Sequence, residues 1–173
     1  MKKTFLFIAF LAAALVAAPS AFAGWVWSPQ TGWVGASGAV KDTPEEQLLV
    51  SIALFEKKDY KRAIKEFKKH LKAYKESREA PEAQYYLARS YEESGYLYKA
   101  FLEYRKTIQV YPSTKRFDEI LEREFEIGNH FMAGKKRKVF GLAAILPARD
   151  KAVEIFQSIV DDGPFTDQGQ LAQ

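Results

Sequence analysis

From position 44 onward, apolar residues return at helical spacing. Leu48, Leu49, Ile52, Ala53, Leu54 and Phe55 predict a helix over about 44–57. Thr43 is a good N-cap, with Pro44 at the first helical position and Glu46 three residues after the cap. Lys58-Asp59 makes a turn. Ala63, Ile64, Phe67, Leu71 and Tyr74 then share a face and predict a second helix over about 60–74. The same order follows again: a helix over about 81–94, Gly95 as its C′ residue, and a helix over about 96–111 that Pro112 stops.

The second pair of helices answers the first residue by residue. Thr43-Pro44-Glu45-Glu46-Gln47 corresponds to Ala80-Pro81-Glu82-Ala83-Gln84. Ser51 corresponds to Ala88, Tyr60 to Leu97, Ala63 to Ala100 and Phe67 to Tyr104, all about 37 residues apart. A period in this range is that of stacked helical arrays, in which each unit buries its apolar face only against its neighbours. A third unit is stretched. Gly128 and Phe131 fit the small and aromatic pair of its first helix, which begins early, near Phe117. Ala152 and Phe156 fit the pair of its second helix, and Pro164 closes it. The excess of some 15 residues lies mostly at 134–147. Gly169-Gln170-Leu171-Ala172-Gln173 resembles the opening of the second unit. The sequence therefore reads as ending where a fourth unit begins, as a truncated product or fragment would.

Ala88, Tyr91, Ala100, Tyr104 and Pro112 occupy positions where tetratricopeptide repeats carry small, aromatic and proline residues. Ser51, Leu54, Ala63 and Phe67 occupy the same places in the first unit, which has Lys75 where the proline would be. The expected fold is an all-α tetratricopeptide-repeat solenoid of about three repeats plus the start of a fourth, over 43–173. The small residues let paired helices approach, and the aromatics fill the space beside them.

The start of the chain is different. Lys2-Lys3, an apolar run from Phe5 to Ala18, and Ala21-Phe22-Ala23 before Gly24 have the order of a secretory signal peptide over 1–23. The run is shorter than the roughly 20 apolar residues of a spanning helix. The style is bacterial, so a periplasmic address is expected. All three Trp fall in the segment 24–42, as Trp25, Trp27 and Trp33. Ser28-Pro29-Gln30-Thr31-Gly32 is a turn signal that fits a small hairpin. Two readings stand: an exposed aromatic tag for a partner or membrane interface, or a segment covering the open end of the array. The need of terminal repeats for capping favours the second.

Composition narrows the function classes. The 173 residues are 47% hydrophobic and 28% charged, ordinary for a globular domain, with a high aromatic share of 14%. The net charge of +4 includes Lys2 and Lys3; without them 24 basic residues face 22 acids. That near-neutral balance and the exported address argue against nucleic acid as a partner. Cysteine is absent. A disulfide, a thiolate metal site, a cysteine nucleophile and a cysteine-linked lipid are therefore excluded from this sequence. His70 and His130 are the only histidines and lack metal-ligand spacing. No nucleophile elbow or phosphate-cradling glycine loop occurs. The charges largely alternate at helical spacing, as in Arg62 to Glu66, and read as a solvated face. A non-enzymatic protein without cofactor or metal is expected.

Tyr98-Lys99-Ala100-Phe101-Leu102-Glu103-Tyr104, Tyr111-Pro112-Ser113, and the long third unit from Glu124-Phe125-Glu126-Ile127-Gly128 to Ile145-Leu146-Pro147-Ala148 resemble the BamD-like (YfiO-type) outer-membrane assembly proteins. The likeness covers about 43–164. It implies an adaptor that binds protein partners, either outer-membrane assembly components or unfolded outer-membrane proteins. The family's members are lipid-anchored and have about five units. This sequence departs from them in lacking the anchoring cysteine and in having about three. The alternative is a periplasmic repeat protein that coordinates cell-wall or division machinery, with the Trp-rich segment as its docking element.

Counted from the repeat pattern, a concave groove would be lined by Ile52, Phe55 and Glu56, by Tyr85, Arg89 and Glu93, and by Phe125, Asn129 and Met132. Aromatic anchors beside Arg89 suit a peptide carrying an apolar side chain and a carboxylate. Aromatics at helical spacing also serve as core. Lys135, Lys136, Arg137 and Lys138 form a cation cluster before an apolar run. They read either as a lip for peripheral contact with anionic lipid or an acidic partner, or as wet lysines above a folded-down segment.

Overall fold

The computed structural model describes residues 25–28, 32–35, 40–133 and 148–173. The leader over 1–23 and the basic insert with Lys135, Lys136, Arg137 and Lys138 lie outside the described residues. The chain divides into two compact units, Met1–Ala39 and Val40–Gln173. In the first, β1 (Trp25–Ser28) and β2 (Gly32–Gly35) pair antiparallel, with Trp27 opposite Trp33 and Trp25 opposite Gly35. The turn signal between Ser28 and Gly32 thus joins the two strands of a hairpin.

Among the described residues the second unit is all-helical: α1 (Pro44–Glu56), α2 (Tyr60–Ala73), α3 (Ala80–Glu93), α4 (Leu97–Val110), α5 (Phe117–Met132), α6 (Ala148–Asp162) and α7 (Asp167–Leu171). Each helix packs on the next in sequence. No described helix is long and apolar enough to cross a membrane. The α1 start is as its sequence requires: the Thr43 hydroxyl accepts from the Glu46 amide at 3.2 Å.

The two best-matched segments repeat bond for bond. Gln47 Nε2 donates to the carboxylate of Glu66 at 3.1 Å, and Gln84 Nε2 donates to the carboxylate of Glu103 at 2.7 Å. Both carboxamides also reach the backbone carbonyl of the same glutamate. The tight turns agree as well. Lys58 N donates to Phe55 O and Asp59 N to Leu54 O; Gly95 N donates to Glu92 O and Tyr96 N to Tyr91 O. Each is a helix end closed by a residue at positive φ, 59° at Lys58 and 75° at Gly95. The Tyr74 hydroxyl donates to Lys41 O, and the Tyr111 hydroxyl to Lys75 O.

Packing explains why these positions matter. Ala63, Ala100 and Ala152 are all fully buried, one in each of α2, α4 and α6. A small side chain there brings the neighbouring helix backbone close, so the large rings beside it are enclosed on every side. Phe67 packs with Ala63, Ala83 and Leu87, and is flanked by Tyr86 in a stacked pair with centroids 5.9 Å apart. A second cluster joins Tyr85, Phe101 and Tyr104 to Ile120, Leu121, Ile155 and Ile159. Gly128 of α5 plays the small-residue part there, since a Cβ on it would stand 2.7 Å from the Phe156 ring of α6. At the end of the chain, α7 seats against α6 through Gly169, where a Cβ would meet the Gly163 carbonyl oxygen at 2.0 Å.

Two outcomes follow from this geometry. Lys58 holds the left-handed conformation that Gly95 adopts without a Cβ penalty, so Lys58→Gly stabilises the protein by about 0.5–1 kcal/mol in urea unfolding. Gly169→Ala forces two backbones apart and costs about 1–3 kcal/mol of local stability. Amide exchange of α7 reports it, and unchanged protection of α7 would contradict the close approach.

Candidate partner-binding face

The side chains singled out from the repeat pattern do not share one environment. Phe55, half-buried at the end of α1, meets Tyr60 and Tyr86 with ring centroids 5.5 and 5.2 Å away. The Arg89 guanidinium stands 5.7 Å from the same ring. Ile52 is half-buried in the first cluster, and Glu56 is exposed. Tyr85 is only 1% exposed and is part of the second cluster, with its hydroxyl at the surface of that core. Phe125 turns toward α6, where its ring lies 5.5 Å from Phe156. Asn129 and Met132 are exposed near the end of α5. The structure thus joins Phe55, Tyr85, Arg89 and Glu93 in one strip, while Phe125 belongs to the α5–α6 packing.

The strip is completed by residues that sequence reasoning missed. The Tyr85 hydroxyl donates to the Glu119 carboxylate of α5 and accepts from Arg89 at 3.2 Å. Arg89 also pairs with Glu93 at 3.1 Å, Glu92 at 3.7 Å and Glu119 at 3.9 Å. Arg116 bridges Glu82 of α3 at 2.6 Å and Glu119 at 2.9 Å, with its guanidinium 4.9 Å above the Tyr85 ring. Arg123 reaches Glu92 at 3.4 Å, and Tyr104 of α4 donates to Glu92 at 2.6 Å. Long side chains therefore lace α3 to α5. The signal for this was present in Arg116, the N-cap of α5, and in Glu119, Arg123 and Glu126 along it, spaced three and four apart. That spacing equally describes an ordinary solvated face, and only the arrival of α3 opposite distinguishes the two.

Electrostatics at the strip follow from half-burial. Burial pushes the Tyr85 hydroxyl up to about 12, and its bond to the Glu119 carboxylate adds to the effect. For Glu119, burial works against the charged form, but hydrogen bonds from Tyr85 and Arg116 outweigh it and hold the carboxyl below its usual value. Burial likewise opposes the charge on Arg89, and the bonds to Tyr85 and Glu93 more than compensate. Arg89 is thus already engaged by Glu92, Glu93 and Glu119. An incoming carboxylate would have to displace one of them, so the expected salt bridge to a peptide carboxylate is not offered by a free guanidinium. Glu93 and Glu56 are the exposed groups of the strip, and Phe55, Arg116, Glu82 and Glu119 are partly exposed beside them.

The two histidines are far from this strip in character. His70 of α2 is fully buried, and burial lowers its basicity against the opposing charges of Glu79 and Glu45; its Nε2 stands 3.5 Å from the Ser77 hydroxyl. His130 is exposed on α5. Among the described residues no group of three metal-binding side chains converges.

Removing one hydroxyl tests the lacing. Tyr85→Phe deletes a charge-assisted bond in a half-buried place and costs about 1.5–3 kcal/mol. Glu119 has a depressed native value, so its contribution is present above about pH 4.5 and is lost as pH falls through that native value. In urea unfolding followed from neutral to acid pH, Tyr85→Phe reduces this acid-side loss of stability. An unchanged profile would mean the Tyr85–Glu119 bond is absent in solution.

No protein-family model matches the chain, and no curated protein matches it. What can be read of its function therefore comes from the helical packing and from the strip that α1, α3 and α5 form.

Proposed function

We propose that the protein is a non-catalytic, exported adaptor with tetratricopeptide-repeat architecture, similar to the BamD-like outer-membrane assembly proteins. In this reading three units and the beginning of a fourth stack over 43–173, and the first helices of the units, α1, α3 and α5, form the wall of a partner groove. The partners are outer-membrane assembly components or unfolded outer-membrane proteins. The chain works in the periplasm, where the basic insert touches anionic lipid or an acidic partner at the membrane surface.

The observation that carries the reading is the exact return of one set of bonds: Gln47–Glu66 and Gln84–Glu103, with the same turn closure at Lys58 and Gly95. A chain that repeats its inter-helix contacts in this way builds a surface by addition. The strip of aromatic and charged groups from Phe55 through Arg89 to Glu119 crosses three of its helices. Aromatic rings and arginines of this kind are the usual anchors of protein–protein contacts.

The experiment is site-specific photo-crosslinking in envelope preparations. A crosslinker at Glu56, Glu93 or Glu126 is expected to capture barrel-assembly components or unfolded outer-membrane proteins. The same group at Leu102 or Val153, exposed on α4 and α6, is expected to capture little. Equal capture from both sets, or none of these partners from the first, would refute the proposal.

A further inference from the structure

The positions of the carboxamide tie recur in the third pair of helices, and there the tie is lost. Four residues before the small residues Ser51, Ala88 and Gly128 stand Gln47, Gln84 and Glu124. Three residues after the buried alanines Ala63, Ala100 and Ala152 stand Glu66, Glu103 and Ile155. In α5 and α6 the amide donor has become a carboxyl, and the glutamate opposite has become a hydrocarbon. Glu124 is fully buried, and so is Ile155. Neither carboxyl oxygen of Glu124 has a hydrogen-bond partner.

The ionisable groups acting on Glu124 come from two neighbouring helices. Arg105 of α4 favours its charge, with a buried Nε that has no hydrogen-bond partner. Asp162 at the end of α6 opposes it. Asp162 in turn is held by the Ser158 hydroxyl at 3.4 Å and has Asp161 beside it. No ionisable group of α7 acts on Glu124 among the described residues.

We propose that the joint between α5 and α6 is a proton-operated latch, closed while the Glu124 carboxyl is protonated and loosened when it ionises. Protonated, the side chain is a neutral polar group that an apolar interior tolerates better than a charge. Ionised, it is a buried anion without a donor, and the protein relieves it by letting α6, with α7 seated on it, lift from α5. Burial pushes the carboxyl well above its ordinary value, Asp162 adds to this, and Arg105 works against it. The sign is set by that direction. The joint is tight below the unfolded value of about 4.5 and loosens as pH rises through the native value.

Hydrogen exchange of the full chain from about pH 5 to about pH 8, corrected for intrinsic rates, tests the latch. The opening constant of α6 and α7 amides is expected to rise by about tenfold per pH unit within the window, and α3 amides serve as the reference. Glu124→Gln restores a neutral carboxamide and is expected to hold α6 opening level and slower at the upper end. A Glu124→Gln protein with the wild-type slope, or one that opens faster throughout, would overturn the proposal. The second outcome is expected if Arg105 and a bridging water hold an ionised Glu124. Carboxyl NMR of the unmodified protein gives an independent reading: a Glu124 carboxyl that titrates at or below 4.5 also sinks it.

Discussion

Close approach of neighbouring helices at small, fully buried positions is the constraint from which the rest of this protein follows. Ala63, Ala100 and Ala152 occupy those positions in α2, α4 and α6. With helix backbones near one another, a side chain as short as glutamine spans from one helix to the next and satisfies both a carboxylate and a carbonyl. The glutamine of such a tie is buried, and a buried polar group left without its partner costs more than a good bond contributes. The ties at Gln47 and Gln84 therefore select one register for each pair of helices. Rings then fill what remains, and the apolar clusters around Phe67 and Tyr104 run through the helical unit.

The face made by α1, α3 and α5 is a consequence of that register. Once α3 and α5 are held by α4 between them, Arg116, Arg123 and Arg89 find carboxylates on the opposite helix as well as on their own. Half-burial strengthens these bonds relative to a free surface pair, and the network arrangement means no one side chain is fixed at the cost of a single contact. Its outer edge stays acidic at Glu93 and Glu56. The surface is a pre-formed array of charges rather than a set of loose arms.

The third pair of helices departs from the pattern of the first two, and it does so in chemistry rather than in shape. Gly128 admits Phe156, and Ile155 and Ile159 continue the core. At Glu124 the same packing leaves a carboxyl with no donor. Consistency at every level is what a sequence needs to specify one structure, and departures of this kind gather where a protein keeps a function or a switch.

Much of the helical unit is legible from residue order alone. Helical spacing of apolar residues, Thr43 as a cap, Gly95 and Pro112 as stops, and a period of about 37 residues are local properties of the chain. Local steric and hydrogen-bonding rules are enough to read them. The antiparallel pairing of Trp25–Ser28 with Gly32–Gly35 belongs to the same class. The assignment of side chains to a binding face is another matter. Phe125 and Tyr85 occupy matching places in the repeat, and each packs on the matching ring of the next helix, Phe156 and Tyr104, but only Tyr85 carries a hydroxyl that reaches on to Glu119. Lys58 gave no hint of its positive φ beyond standing where Gly95 stands 37 residues later, at 95 against 58. Which of two charged stripes is laced and which is merely wet, and which glutamate is left alone in the core, depend on what arrives from a distant part of the chain. Periodicity reports the face of a helix, whereas the identity of the neighbour on that face is decided only when the helices pack.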